Sequence, residues 1–132
     1  FESIIKKYSQ YSNIKFIHAS LIGKDWDTAL LSVDALLLPY GAERYRYHWA
    51  AMLFTAIGFH KPVLISSEIN PEVLEQYSIG EFLNLDDVHS IRQGIQKFVE
   101  NLQHHKEQYN QGLMNANEDY GHRALIQSII HV

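Results

Sequence analysis

Two stretches decide the fold: Val33-Asp34-Ala35-Leu36-Leu37-Leu38-Pro39-Tyr40 and Lys61-Pro62-Val63-Leu64-Ile65-Ser66-Ser67. Each holds an unbroken apolar run. Such runs suit strands covered on both faces, as in a parallel sheet, and proline is tolerated at the first residue of the second. Between them lie a polar, aromatic loop, Tyr40 to Tyr47, containing Gly41, and a mostly apolar helix, His48 to Gly58. Downstream, Asn70-Pro71-Glu72 has the form of an N-cap with proline at the first helical position, opening a short helix to Gln76. Ser78-Ile79-Gly80 turns the chain into Glu81-Phe82-Leu83, a short edge strand. Asp86 or Asp87 then caps a longer helix whose face carries Val88, Ile91, Ile95, Phe98, Val99 and Leu102. Residues 103–119 are polar and helical, Gly121 interrupts, and a last helix runs from Arg123 to Val132 with Leu125, Ile126, Ile129 and Ile130 on one side.

Upstream of the first run, the pattern predicts a helix over Phe1 to Tyr11 and a strand at Ile14-Lys15-Phe16-Ile17. A connection follows at Leu21-Ile22-Gly23, then a short helix through Leu31 capped by Asp25 or Asp27. Strands alternating with helices predict one α/β domain over residues 1–132, with a Rossmann-like parallel sheet and flanking helices. The chain starts at Phe1 and enters a helix at once, which reads as a piece of a longer polypeptide.

Composition bounds the function. The 132 residues carry 11 Lys+Arg against 15 Asp+Glu, a net charge of −4, which argues against a nucleic-acid groove. Eight Tyr, six Phe and two Trp argue against disorder. The absence of cysteine excludes disulfides, a thiol nucleophile and cysteine-based zinc sites. No apolar run reaches the ~20 residues of a membrane span, no secretory signal is present, and a cytoplasmic protein is the expectation. His104, His105 and His122 lack metal-ligand spacing, so no metal is expected. His18 at a strand end reads as a packing or surface residue. The signatures of serine hydrolases, P-loops and dinucleotide folds are missing.

Ligands of open parallel sheets bind beyond the carboxyl ends of the strands. Those ends are His18-Ala19-Ser20, Tyr40 to His48, and Ser66-Ser67-Glu68. The middle loop, with Tyr40, Gly41, Glu43, Arg44, Arg46 and Tyr47, runs into Trp49-Ala50-Ala51 at a helix start, where unpaired amides and the positive end of the helix dipole favour an anion. The plain alternative is a solvated loop whose arginines pair with Glu43. Ser66 and Ser67 either donate to phosphate or end the strand; Glu72 either contacts the ligand or is a first-turn acid.

The two deciding stretches, with Ala50-Ala51-Met52-Leu53-Phe54-Thr55-Ala56 between them and Glu72-Val73-Leu74, Ile79-Gly80 and Asp86-Asp87 after them, resemble the carboxyl-terminal half of group 1 (family 4) glycosyltransferases over roughly residues 12–102. The resemblance implies a truncated two-domain GT-B enzyme. Its Rossmann-like carboxyl half would bind a UDP- or GDP-sugar, with no further cofactor and no metal, and transfer a hexose to an acceptor hydroxyl in glycan or cell-envelope polysaccharide synthesis, the family being usually retaining. It implies donor contacts from Arg44 or Arg46, the amides near Trp49 to Ala51, and Thr55 on the ribose. It also implies a missing amino-terminal, acceptor-binding half, through which any peripheral membrane association would run, and this chain alone as inactive. Two glutamates eight positions apart, frequent in the family, are Tyr47 and Thr55 here, and the glycine usual before Lys61-Pro62-Val63 is His60. The catalytic residues are left unassigned. Two other readings are carried: a degenerate, non-catalytic binding module of the same fold, and a receiver-like signalling domain. The latter is disfavoured because Asp34 begins its strand and Lys61 opens one.

Overall fold

The computed structural model describes residues 1–130. Along the chain run α1 (Glu2–Tyr8), α2 (Lys24–Leu31), β1 (Leu36–Leu38), a 3₁₀ turn (Glu43–Tyr47), α3 (Ala51–Gly58), β2 (Val63–Ser66), α4 (Pro71–Gln76), β3 (Gly80–Leu83), α5 (Val88–His104), α6 (Lys106–Tyr120) and α7 (His122–Ile130). The three strands form one open, all-parallel sheet in the order β1-β2-β3. Leu36 pairs with Val63 and Val63 with Gly80 across it.

The central strand β2 is buried at every residue, as its unbroken Val-Leu-Ile run requires. Alternate side chains feed two cores. Val63, Ile65 and Leu38 pack with Leu53, Ala56 and Ile57 of α3, Val73 of α4, and Leu113 and Ala116 of α6. Helices α3 and α4 share this core, so both crossovers lie on one face of a sheet that follows chain order. Leu64 and Leu83 point the other way and pack with Phe98 of α5 and Tyr109 of α6. Burying Leu53 and Leu113 completely stabilises the fold by about 1.5–3 kcal/mol each. Gly80 sits where β3 meets β2: a Cβ there would lie 1.9 Å from the Val63 carbonyl oxygen, so no larger residue fits without moving the strand.

Helices α4 and α5 and strand β3 stand where the sequence places them, and Asp87 is the side chain that caps α5, accepting from the Ser90 amide at 2.7 Å. The apolar face of α5 is only partly covered: Phe98 is buried, whereas Val88, Ile95 and Val99 are exposed. The region before β1 departs more. Ile14 to Ile17 form no strand; without a neighbouring strand to take its amides and carbonyls, that backbone gains nothing from extension. The cap of α2 is Gly23, not Asp25 or Asp27, which stand inside its first turn. The predicted helix from His48 begins only at Ala51, because 43–47 close a separate 3₁₀ turn and His48 to Ala50 are extended. His18 is exposed against the Phe1 ring, 4.8 Å between centroids. Lys61 has a structural task at the far end of the sheet: its Nζ donates to the carbonyls of Leu31 (3.3 Å) and Val33 (2.7 Å), closing the carboxyl end of α2. The last two residues of the predicted final helix lie outside the described residues. Among the described residues, no helix is long and apolar enough to cross a membrane.

Candidate functional site

The carboxyl ends of β1, β2 and β3 open onto one rim of the sheet. Leaving β1, the chain passes Pro39 and Tyr40 into Gly41. Ser66, at the end of β2, is fully buried and donates through Oγ to the Tyr40 carbonyl at 2.8 Å. Its hydroxyl is therefore committed to holding the β1 exit beside the β2 exit. Ser66 ends the strand and is not presented to a ligand.

The 3₁₀ turn at Glu43–Tyr47 rises from this rim as a ridge between two hollows. On one side is a cleft of about 550 Å³ lined by Tyr40, Arg44, Tyr45, His48, Trp49, Ala50, Ala51, Met52 and Ile69. On the other, Arg46 and Glu43 look onto a cleft of about 370 Å³ with Gly41, Ser67 and Glu68. The split follows from the turn itself: at three residues per turn, side chains two apart point in well-separated directions. The two arginines that the sequence offers as alternatives thus serve different hollows.

In the larger cleft the Arg44 guanidinium lies over the Tyr45 ring, 4.9 Å from its centroid, and donates to the Tyr45 hydroxyl at 2.9 Å. Tyr45 in turn packs against Tyr40, with ring centroids 5.1 Å apart. Trp49 stacks flat on Phe54 at 4.3 Å and keeps 65% of its surface exposed, an open aromatic face beside the cleft. Among the described residues, no carboxylate lines this hollow. Neither arginine forms an ion pair with Glu43: among the described residues the ion pair is Lys97–Glu81, at 3.6 Å.

The start of α3 forms one wall. Its cap, Ala50, has no side chain able to accept from the helix, and Ala50 is buried. Asn70 Oδ1, twenty residues away, instead accepts from the amide of Ala50 itself at 3.2 Å, while Asn70 Nδ2 donates to Glu72 at 3.0 Å. Asn70 holds a left-handed backbone, φ 40°, which asparagine tolerates better than most residues. The Ala50 amide is thus taken, and the next amides, of Ala51 and Met52, have no acceptor among the described atoms. Those two lie on the cleft wall beside Arg44.

The predicted residues therefore do not form one cluster. Tyr40, Arg44, Trp49, Ala50 and Ala51 come together; Gly41, Glu43 and Arg46 gather next door. Tyr47 ends the 3₁₀ turn. Thr55 stands apart, bonded to the Ala51 carbonyl at 2.9 Å and lining a separate hollow with Trp26, Phe59 and Asn117. Glu72 supports Asn70 and lines neither rim cleft. Tyr45, His48, Met52 and Ile69 line the larger cleft without having been singled out. Tyr45 and His48 fell within the strand-end stretch Tyr40 to His48, whereas Met52 and Ile69, three residues beyond the end of β2, had no such signal. No group of three or more potential metal ligands occurs among the described residues. Comparison with protein-family models, with curated proteins and with solved structures finds no match to this chain.

Proposed function

We propose that this chain is the donor-binding half of a GT-B glycosyltransferase, and that the 550 Å³ cleft takes the nucleoside diphosphate of a UDP- or GDP-sugar. One observation carries the proposal: a guanidinium, two open amides at a helix start and several aromatic rings converge in a carboxylate-free hollow on the carboxyl rim of a parallel sheet. The volume lies within the roughly 300–1,000 Å³ of small-ligand sites. Arg44 and the amides of Ala51 and Met52 neutralise the diphosphate, and Trp49 or Tyr40 offers a face to the base. In sugar transfer, charge grows on the departing diphosphate; donors fixed there beforehand stabilise that charge without rearrangement. Thr55, in a different hollow, has no part in this arrangement.

Calorimetric titration with UDP and GDP tests the reading. Arg44→Ala weakens binding by about 10- to 100-fold, the worth of a charge-assisted hydrogen bond. If Arg44→Ala and Arg46→Ala both leave affinity unchanged, the placement is wrong. A non-catalytic nucleotide-binding module is the second reading. It is favoured by Tyr47 and Thr55 standing where the resembling family often has glutamates, and by the absence of a carboxylate in the larger cleft. Sugar transfer by the complete polypeptide separates the two.

A further inference from the structure

We infer that α7 is a self-association surface: its exposed aliphatic face packs antiparallel against the same face of a second copy of this chain. From Leu125 to Ile130 every residue of α7 is exposed, and the helix buries no side chain. Leu125, Ile126, Ile129 and Ile130 are each more than half exposed. At about 100° per residue they occupy a band of about 140° on the helix surface. Ala124 and Gln127, which line a hollow with Trp26, Thr55 and Phe59, fall on the opposite side. The helix thus turns small and polar residues toward its own protein and its aliphatic band toward water, the reverse of a helix that packs on its own core. A helix of 9 residues is marginal on its own in water. Three β-branched isoleucines weaken it further. A cover over the aliphatic band supplies the missing stabilisation.

Charge and size select the occupant. Helix α7 holds no acid, and its one formal charge at pH 7 is Arg123, in the first turn. There the guanidinium stands at the positive end of its own helix dipole, which disfavours it. An antiparallel copy brings each Arg123 beside the last turn of the other helix, where unpaired carbonyls favour a cation. A two-fold axis makes that contact twice. The two aliphatic bands then meet with no like charges opposed. A lipid surface calls for a polar side rich in lysine and arginine, whereas α7 has Gln127 and Ser128 there. With roughly 100 Å² exposed on each of the four side chains, a pair of helices removes about 800 Å² from water. That is less than the ~1,200 Å² of tight complexes and sets a weak dimer, with a dissociation constant on the order of 50 μM. Neither rim cleft takes part, so the inference does not rest on the nucleotide reading.

Sedimentation velocity of this chain tests the inference. Between about 2 and about 500 μM the mass rises from the 15.3 kDa of one copy toward twice that value. Ile126→Gln combined with Ile129→Gln keeps helix-forming residues and stays at one copy throughout. In dilute solution it melts within about 2 °C of the parent, because neither isoleucine is buried in the single chain. Arg123→Glu raises the dissociation constant about tenfold, since both reciprocal contacts change sign. The inference is overturned if the parent stays at one copy at about 500 μM, if the doubly substituted chain pairs as the parent does, or if Arg123→Glu pairs as tightly. Flotation of the dilute parent with phosphatidylcholine–phosphatidylserine vesicles, lost on double substitution, overturns it in favour of a lipid surface. A complete polypeptide that stays at one copy where this chain pairs overturns it too, the face then being covered from within. UDP binding by a chain that does not pair sinks this inference alone. Pairing without UDP binding sinks the nucleotide proposal alone.

Discussion

Asn70 is the residue whose replacement tests the architecture of the rim most directly. Its carboxamide accepts from the buried Ala50 amide, and its backbone sits at φ 40°. Asn70→Gly keeps the left-handed backbone and deletes the acceptor. An orphaned buried N–H costs about 1–3 kcal/mol. Asn70→Ala deletes the acceptor and also forces a Cβ into the left-handed region, adding about 1 kcal/mol. The expected losses are therefore about 1–3 kcal/mol for glycine and about 2–4 kcal/mol for alanine. At about 4 °C per kcal/mol for a chain of this size, alanine lowers the melting temperature by about 8–16 °C. Thermal melts followed by circular dichroism measure both. The start of α3 also loosens, so on the proposed nucleotide site UDP affinity falls in both variants even though Asn70 does not line the cleft. If Asn70→Ala melts within about 2 °C of the parent, the tie across the rim is not a structural support. If alanine costs no more than glycine, the backbone argument is wrong.

Gly80→Ala pushes a methyl group against the Val63 carbonyl and must part β3 from β2; urea denaturation is expected to show a loss of about 2–4 kcal/mol, against near-neutrality for an exposed glycine such as Gly58. Burial pushes the Glu81 carboxyl upward, but hydrogen bonds from Tyr109 (2.8 Å) and Asn101 (2.6 Å), with Lys97 nearby, outweigh it and hold its pKa below the ordinary 4.5. A carboxyl with a lowered folded-state pKa stabilises fully above its unfolded value and loses that contribution as pH falls through the folded one. Acid unfolding followed by fluorescence should therefore lose part of its pH dependence below 4.5 in Glu81→Gln. Tyr77 behaves oppositely: its hydrogen bond to Asp119, then burial, raises its pKa from 10.0 to about 12. Stability tied to the neutral phenol is complete below pH 10.0 and is lost as pH rises toward about 12, and Tyr77→Phe should flatten that alkaline limb of the melting curve.

The sheet was legible because β2 is surrounded. A strand buried on both faces must be apolar at every position, and Val63-Leu64-Ile65 is. Leu36-Leu37-Leu38 carries the same signal, although Leu37 is half exposed at the sheet edge. Ile14 to Ile17 misled because alternating β-formers describe a strand only when another strand lies beside them; here Ile14 and Ile17 are exposed. Local pattern placed the Tyr40–Tyr47 loop and the start of α3 at the carboxyl rim but could not part Arg44 from Arg46. That separation depends on a short 3₁₀ turn at 43–47, which has no periodicity to read. Asn70 carried the signature of an N-cap for α4 and occupies that position, yet its side chain serves α3. A contact spanning twenty residues leaves no trace in local spacing. Asp87 caps through the helix it opens, and so could be read directly.

The 3₁₀ ridge has a consequence for orientation. It parts a hollow lined by no acidic group among the described residues from one lined by Glu43, Glu68 and a single arginine. A molecule long enough to straddle it meets opposite electrical preferences at its two ends, so reversing it is penalised twice. Polarity of approach is thereby written into five consecutive residues.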